Sequence, residues 1–322
     1  MIIADKPRWG IDCRRLPRPY PSFLRPWPAA ERPRMTIAIG RLCTNGLIIA
    51  ADTKICPSDG STQYARKVHR KRAANGAFVI AYACNDVDAA RTLREDLFEV
   101  LLRNDPETLR QVEEIIRSGM VKWAESYTHD LPWIDLILGV SLRAPRSSDR
   151  DLCGGTGLYH CRPPAIMVRK SYNQTEPTSF ISIGSGATLA DSIMTSLFTG
   201  KSENPKDSLK QLAYILYRVK KDLGQWCGGF TNAYFMCEGE VDAFEISPAC
   251  MDHAENAGEM LDQLLKIATW AIQSSELEIS DLYLERLRNY LKVMESYRLL
   301  DFSVLYGKEI CEDGIRQLDP QT

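Results

Sequence analysis

Between Met35 and Lys67 two apolar runs flank an Asn45-Gly46 pair, and the second run ends abruptly in a carboxylate. The first reads Met35-Thr36-Ile37-Ala38-Ile39-Gly40, the second Leu47-Ile48-Ile49-Ala50-Ala51-Asp52-Thr53-Lys54. Apolar runs around Asn-Gly are the strongest short-range signal of a β-hairpin. A strand with no polar alternation is one buried on both faces. The carboxylate of Asp52 then needs a partner, because a lone buried charge is costly. Lys67 is the nearest candidate, in the run Arg66-Lys67-Val68-His69 after a polar loop. Thr36 opens the first strand, so the hairpin can bring Thr36, Asp52 and Lys67 together.

At 322 residues the chain has room for one large domain or two modest ones. With 44% hydrophobic and 25% charged residues it has the composition of a soluble globular protein. A formal charge of −2 argues against a dedicated nucleic-acid binder. No run approaches the about 18 consecutive apolar residues of a membrane span, and the N-terminus lacks the apolar core of a secretory signal. The ten cysteines include no C-x-x-C pair, and Cys43, Cys84 and Cys237 sit in or beside apolar runs. They read as buried free thiols in a reducing cytosol, which makes the expected location cytoplasmic. His69, His129, His160 and His253 show no metal or triad spacing, and no cofactor is expected.

Residues 1–34 carry seven prolines and seven arginines and cannot bury enough apolar surface to fold. The segment reads as a disordered arm, a propeptide or an untranslated upstream stretch. The Met35-Thr36 pair favours the last, since an initiator methionine before a small residue is usually trimmed. Strands follow at 36–43, 47–53, 66–71 and 77–83. The basic cluster Arg66–Arg72 reads as a solvated strand, with a nucleic-acid patch as the weaker alternative. A helix starts at Asp86 or Asp88, with a stripe of Ala89, Leu93, Leu97 and Val100, and Pro106 opens another. Further strands are expected at 134–142, 156–161, 165–170, 180–183, 231–237 and 241–246, and helices at 186–198 and 209–223. Gly154-Gly155-Thr156-Gly157 precedes no helix, so it is not a phosphate cradle. From about 255 the chain is helix-forming, with apolar stripes through Leu261, Leu264, Leu265, Ala268 and Ile272, and through Leu284, Leu287, Leu291 and Met294.

The order of these motifs resembles proteasome β-subunits and the related bacterial protease subunit that works with an ATPase. Members of that family open a hairpin with a catalytic threonine, follow it with Ala-Asp-Ser/Thr-Arg/Lys, and place a Lys-Val pair after a loop. The resemblance covers roughly residues 36–246. It implies that Thr36 is the nucleophile, Asp52 the acid and Lys67 the catalytic lysine. It also implies that Ser185, in Ile183-Gly184-Ser185-Gly186, lies near the nucleophile. Asp222, before Cys227-Gly228-Gly229, is implied as a second acid. The implied fold is α+β, a four-layer αββα sandwich of the Ntn hydrolase, proteasome-like type, with an added C-terminal helical extension. Its domain would span 35–250 and the extension 251–322.

The implied reaction is threonine-type hydrolysis of an amide in a peptide or protein substrate. A hydroxyl needs a base to become a nucleophile. A terminal threonine carries its own, an α-amine of reference pKa about 7.7–8.0. Thr36 therefore has to be exposed by removal of Met35 and anything before it, since an amide nitrogen is no base. Backbone N–H groups after the 77–83 strand would hold the oxyanion, although the turn reads Ala83-Cys84-Asn85-Asp86 where the family has glycine. A homo-oligomer is expected, with ring formation and an ATPase partner left open, and neither nucleic acid nor membrane as a partner. The alternative is an inactive subunit of the same fold with a structural or binding role.

Overall fold

The two apolar runs pair as an antiparallel hairpin, β1 (Ile37–Cys43) and β2 (Gly46–Asp52), and every residue of both strands is buried. They belong to a computed structural model that describes residues 36–55, 61–128, 130–143, 155–171, 180–198 and 204–273, with positions 285, 288, 289, 310, 311, 314 and 315. The hairpin turn is Thr44-Asn45, one residue earlier than the Asn45-Gly46 turn expected, and neither residue has a positive φ. Gly46 instead opens β2 at φ +153, where a Cβ would lie 1.9 Å from the Met236 carbonyl oxygen. Glycine is thus required by the strand alongside rather than by the turn.

A short pair, β3 (Lys54–Ile55) and β4 (Gln63–Tyr64), leads to β5 (Val68–Arg72) and β6 (Gly76–Cys84). Helix α1 (Val87–Asn104) is capped by Asp86, whose side chain accepts from the Asp88 and Ala89 N–H groups. Helix α2 (Leu109–Glu125) starts at a capping box between Thr108 and Gln111, not at Pro106. That box satisfies two orphan donors reciprocally and outweighs the proline signal. Then come β7 (Ile134–Leu142), β8 (Gly155–Arg162), β9 (Ala165–Ser171) and β10 (Phe180–Gly184). Helix α3 (Ala187–Leu197) follows, and α4 (Pro205–Asp222) begins four residues before the expected 209. Asn204 caps α4 and Pro205 occupies its first turn, a start signal in its own right. β11 (Thr231–Cys237), β12 (Ala243–Ile246) and α5 (Pro248–Gln273) complete the described elements that bear on the site.

The strands form two antiparallel sheets, ordered β10-β1-β2-β11-β12 and β5-β6-β7-β8-β9. Alternation along the strands sorts the apolar side chains into three clusters. One joins Ile37, Ile39 and Ala50 of the first sheet to Leu212, Leu216 and Met251 of α4 and α5. A second joins Phe78, Ile80 and Leu138 of the other sheet to Leu93, Phe98 and Ile116 of α1 and α2. The third, with Leu47, Ile49, Val79 and Ile137, draws on strands of both sheets. Helices therefore pack on sheets whose central strands are buried on both faces, which is why β2 and β6 carry no polar alternation.

The boundary expected at 250/251 falls inside α5. Cys250, Met251 and Ala254 are part of the first cluster, so this helix starts as core. Leu264 is buried as expected, whereas Leu265 is exposed. The expected arm over residues 1–34 and the stripe through 284–294 lie outside the described residues. The basic run from Arg66 is a half-solvated strand, and several of its charges are matched internally. Arg66 pairs with Glu245, and Arg70 with Asp242 at 2.9 Å. Among the described residues no helix is long and apolar enough to cross a membrane.

Candidate functional site

The end of β2 and the start of β1 meet at Asp52. Thr36 Oγ1 donates to Asp52 Oδ1 at 2.6 Å, and the Ile37 N–H donates to the same oxygen at 3.2 Å. Lys67, just before β5, reaches across and donates to Asp52 Oδ1 at 2.7 Å. Its Nζ also touches Thr36 Oγ1 and the Lys54 carbonyl. The other carboxylate oxygen, Oδ2, accepts the Gly228 N–H at 2.8 Å. Thr36, Asp52 and Lys67 are 4%, 0% and 2% exposed, so charge and counter-charge satisfy one another out of water.

The backbone of Thr36 is fixed from the opposite side. Its carbonyl accepts the Gly186 N–H at 3.4 Å, and Gly184 packs against it. Gly184 has φ +91, and a Cβ there would lie 2.2 Å from the Thr36 carbonyl oxygen. Only glycine allows β10 to end so close to the threonine. Ser185 sits half-buried in this turn, between Gly184 and Gly186. It is not the cap of α3, since Gly186 holds that position without a side-chain bond.

Asp222 is placed differently. It is the last residue of α4, and its carboxylate accepts from Arg218 one turn earlier at 3.2 Å. It makes no hydrogen bond to Thr36, Asp52 or Lys67. The loop that follows it makes the connection instead, through the Gly228 N–H and through the Gly224 carbonyl, which accepts from Lys54 Nζ at 2.7 Å. Gly228 and Lys54 thus belong to the site although no role was expected of either. The Cys227-Gly228-Gly229 run marks this loop in the sequence.

A cavity of about 610 Å³ opens over Thr36 and Lys67 and is bounded by Lys54, Tyr82, Cys84, Asn85, Asp86 and Tyr127, among others. The turn after β6 forms one wall. The Asn85 N–H already donates to the Trp133 carbonyl at 3.1 Å, which removes it from the expected oxyanion donors. Cys84 is 8% exposed, and burial pushes its thiol up to about 12 despite the nearby Lys67 charge. It therefore stays a thiol at neutral pH rather than becoming a second nucleophile. Cys43, Cys84, Cys161, Cys227, Cys237 and Cys250 are buried thiols.

Neither a protein-family model nor a curated protein matches the chain. Solved structures do. An Anbu (Gly-1) mutant from Hyphomicrobium sp. strain MC1 is 15% identical with a TM-score of 0.57, over 74% of this chain and 100% of that one. Anbu from Yersinia bercovieri, described as an ancestral beta-subunit, is 14% identical with a TM-score of 0.55, over 72% and 97%. The Anbu complex of Pseudomonas aeruginosa, described as a helical assembly, is 14% identical with a TM-score of 0.53, over 72% and 96%. This corrects the resemblance drawn from the motifs: the likeness is to Anbu proteins and not to the proteasome β-subunit family itself. At such identity it shows the fold alone, a proteasome-related arrangement of helices and antiparallel sheets.

Proposed function

We propose that the chain is a threonine-type amide hydrolase in which Thr36, once freed of Met35 and anything before it, is an N-terminal nucleophile. The observation that carries this reading is the position of the Thr36 hydroxyl. It lies between the Asp52 carboxylate and the Lys67 ammonium, at the floor of an open cavity. An ordinary strand threonine has no need of a buried ion pair.

In the reaction the free α-amine of Thr36 takes the hydroxyl proton, and Oγ1 attacks the substrate carbonyl carbon. The Lys67 charge stabilises the developing alkoxide, and Asp52 offsets the cost of burying that charge. The proton passes to the leaving amine, the C–N bond breaks and an ester to Thr36 remains. Water, deprotonated by the same amine, attacks that ester and restores the hydroxyl. In this reading Ser185, which lies in the turn beside the Thr36 carbonyl, orients the amine. Asp222, engaged by Arg218, takes part in no step.

We read the architecture as a four-layer αββα sandwich, which the three apolar clusters support. The substrate class is a peptide or protein, since an open cavity of about 610 Å³ has room for a short stretch of chain. Homo-oligomerisation is supported by the helical assembly of the Pseudomonas aeruginosa Anbu complex. Buried thiols support a reducing, cytoplasmic setting.

The test is covalent labelling of the processed protein with a threonine-directed inhibitor. Wild type should label on Thr36, and Thr36→Ala and Lys67→Ala should each abolish labelling while keeping the fold. Unchanged labelling in either variant refutes the role of the residue replaced. A processed wild type that never labels leaves the inactive structural subunit as the better reading.

A further inference from the structure

We propose that Lys220, Thr231 and Glu255 form a clasp that positions Asp52, an inference that rests on the reaction proposed above. Lys220 lies in the last turn of α4, Thr231 opens β11 and Glu255 lies on α5. Lys220 Nζ donates to Thr231 Oγ1 at 2.7 Å and to both Glu255 oxygens at 2.9 Å. Thr231 Oγ1 in turn donates to Glu255 Oε1. The Lys220 and Glu255 side chains are each 13% exposed, and Thr231 is fully buried. No side-chain hydrogen bond joins any of the three to Thr36, Asp52 or Lys67.

What the clasp closes is the segment 221–230, the end of α4 and the loop that follows it. Lys220 and Thr231 are its two ends, tied directly to each other and jointly to a third element. The middle of the loop reaches the site at three points. The Gly228 N–H holds Asp52 Oδ2 at 2.8 Å, the Gly228 carbonyl accepts the Lys54 N–H at 3.0 Å, and the Gly224 carbonyl accepts Lys54 Nζ at 2.7 Å. Lys54 also lends its own carbonyl to Lys67. Thr231 lies directly across from Asp52 in the β2–β11 register, so the clasp is one strand away from the carboxylate.

Tying both ends of a loop removes conformations it would otherwise sample. Here the restricted conformation is the one that presents Gly228 to Asp52. The carboxylate fixes both the Thr36 hydroxyl and the Lys67 ammonium, so displacement of Gly228 passes to the nucleophile. Reacting groups misplaced by about 1 Å can cost on the order of 100-fold in rate. The three residues are positioning residues, and α5 contributes one of them. The helix read from sequence as an appended extension is thereby coupled to the site.

The experiment compares Thr231→Val, which removes only the hydroxyl, with Thr231→Ser, which keeps it. The double variant Lys220→Met/Glu255→Gln, which removes both charges together, is a second probe of the clasp. Two quantities are read on the full processed chain: the labelling rate with a threonine-directed inhibitor, and hydrogen exchange at the Gly228 amide. Thr231→Val and the double variant should label roughly tenfold more slowly, as expected for losing one bond to a charged acceptor, and should exchange Gly228 faster. Thr231→Ser should stay near wild type in both. Overturning results are wild-type labelling or undiminished Gly228 protection in Thr231→Val, or a Thr231→Ser variant as slow as Thr231→Val, which assigns the effect to packing. A wild type that does not label overturns the proposed reaction instead. In that case Gly228 exchange in the Val and Ser variants still decides whether the clasp holds the loop.

Discussion

Asp52→Asn should be among the most destabilising single changes at the site, and more so than Lys67→Met. The Asp52 side chain is 0% exposed and that of Lys67 3%. Asp52 accepts from Thr36 Oγ1, the Ile37 N–H, Lys67 Nζ and the Gly228 N–H, at 2.6, 3.2, 2.7 and 2.8 Å. After Lys67→Met three of those four donors remain, and all are neutral dipoles that still solvate the carboxylate. After Asp52→Asn the ammonium has no counter-charge and keeps only neutral acceptors, the Asn amide oxygen, the Thr36 hydroxyl and the Lys54 carbonyl. The new amide N–H₂ must also face a group that was itself donating. Breaking a buried pair from one side costs about 3–5 kcal/mol, and a hydrogen bond to a charged group contributes about 1.5–3 kcal/mol. We therefore expect a loss near 5 kcal/mol for Asp52→Asn and of about 3 kcal/mol or less for Lys67→Met. The double variant should fall short of the sum by roughly 2 kcal/mol, since the second change removes the charge that the first left unpaired. Urea unfolding of the four proteins measures all three losses. Thermal midpoints should follow at about 2–4 °C per kcal/mol for a domain of this size. Lys67→Met as damaging as Asp52→Asn, with additive losses, would refute the charge-compensation argument.

Three further outcomes follow from the same geometry. Gly184→Ala, at φ +91 and 2.2 Å from the Thr36 carbonyl, should destabilise by at least about 1–2 kcal/mol from the backbone alone and should abolish labelling; stable, labelled protein would count against the close approach of β10. Burial, assisted by the Arg94 charge, pushes His69 down to about 4, so the folded protein resists taking a proton that the unfolded chain accepts from about pH 6.5 downward. Its stability should fall between pH 6.5 and 4, and His69→Gln should flatten that part of the profile of urea midpoint against pH; an unchanged slope would assign the acid loss to other groups. Cys84→Ala should keep the full labelling rate, because a thiol raised to about 12 supplies no thiolate; loss of labelling there would give Cys84 a part in the chemistry.

The core of the site was legible because its physics is local. An apolar strand ending in a carboxylate demands a counter-charge, and the Arg66-Lys67 pair after the loop offers one in Lys67. Thr36 followed from the hairpin, even though the turn itself lies at Thr44-Asn45 rather than Asn45-Gly46. Gly228 was not legible as a site residue, because it contributes a backbone N–H whose direction depends on how a whole loop is closed. Asp222 shows the converse: a carboxylate at a helix end fits a functional pattern, yet an arginine four residues earlier lies on the same helical face and claims it. Helix α2 starts at the Thr108–Gln111 box and not at Pro106, because the box satisfies backbone donors that a proline only avoids. The motifs also pointed to proteasome β-subunits where the structural likeness is to Anbu. A hairpin, an acid and a lysine in this order report the local geometry, and at 14–15% identity that geometry does not separate one branch of the fold from another.

In the proposed reaction the working molecule begins at Thr36. The most direct test is mass spectrometry of protein purified from its native host and treated with a threonine-directed inhibitor, reading the N-terminal peptide and the adduct together. A peptide that starts at Thr36 and carries the adduct is the result expected. Active protein whose N-terminus lies at Met35 or earlier would contradict it.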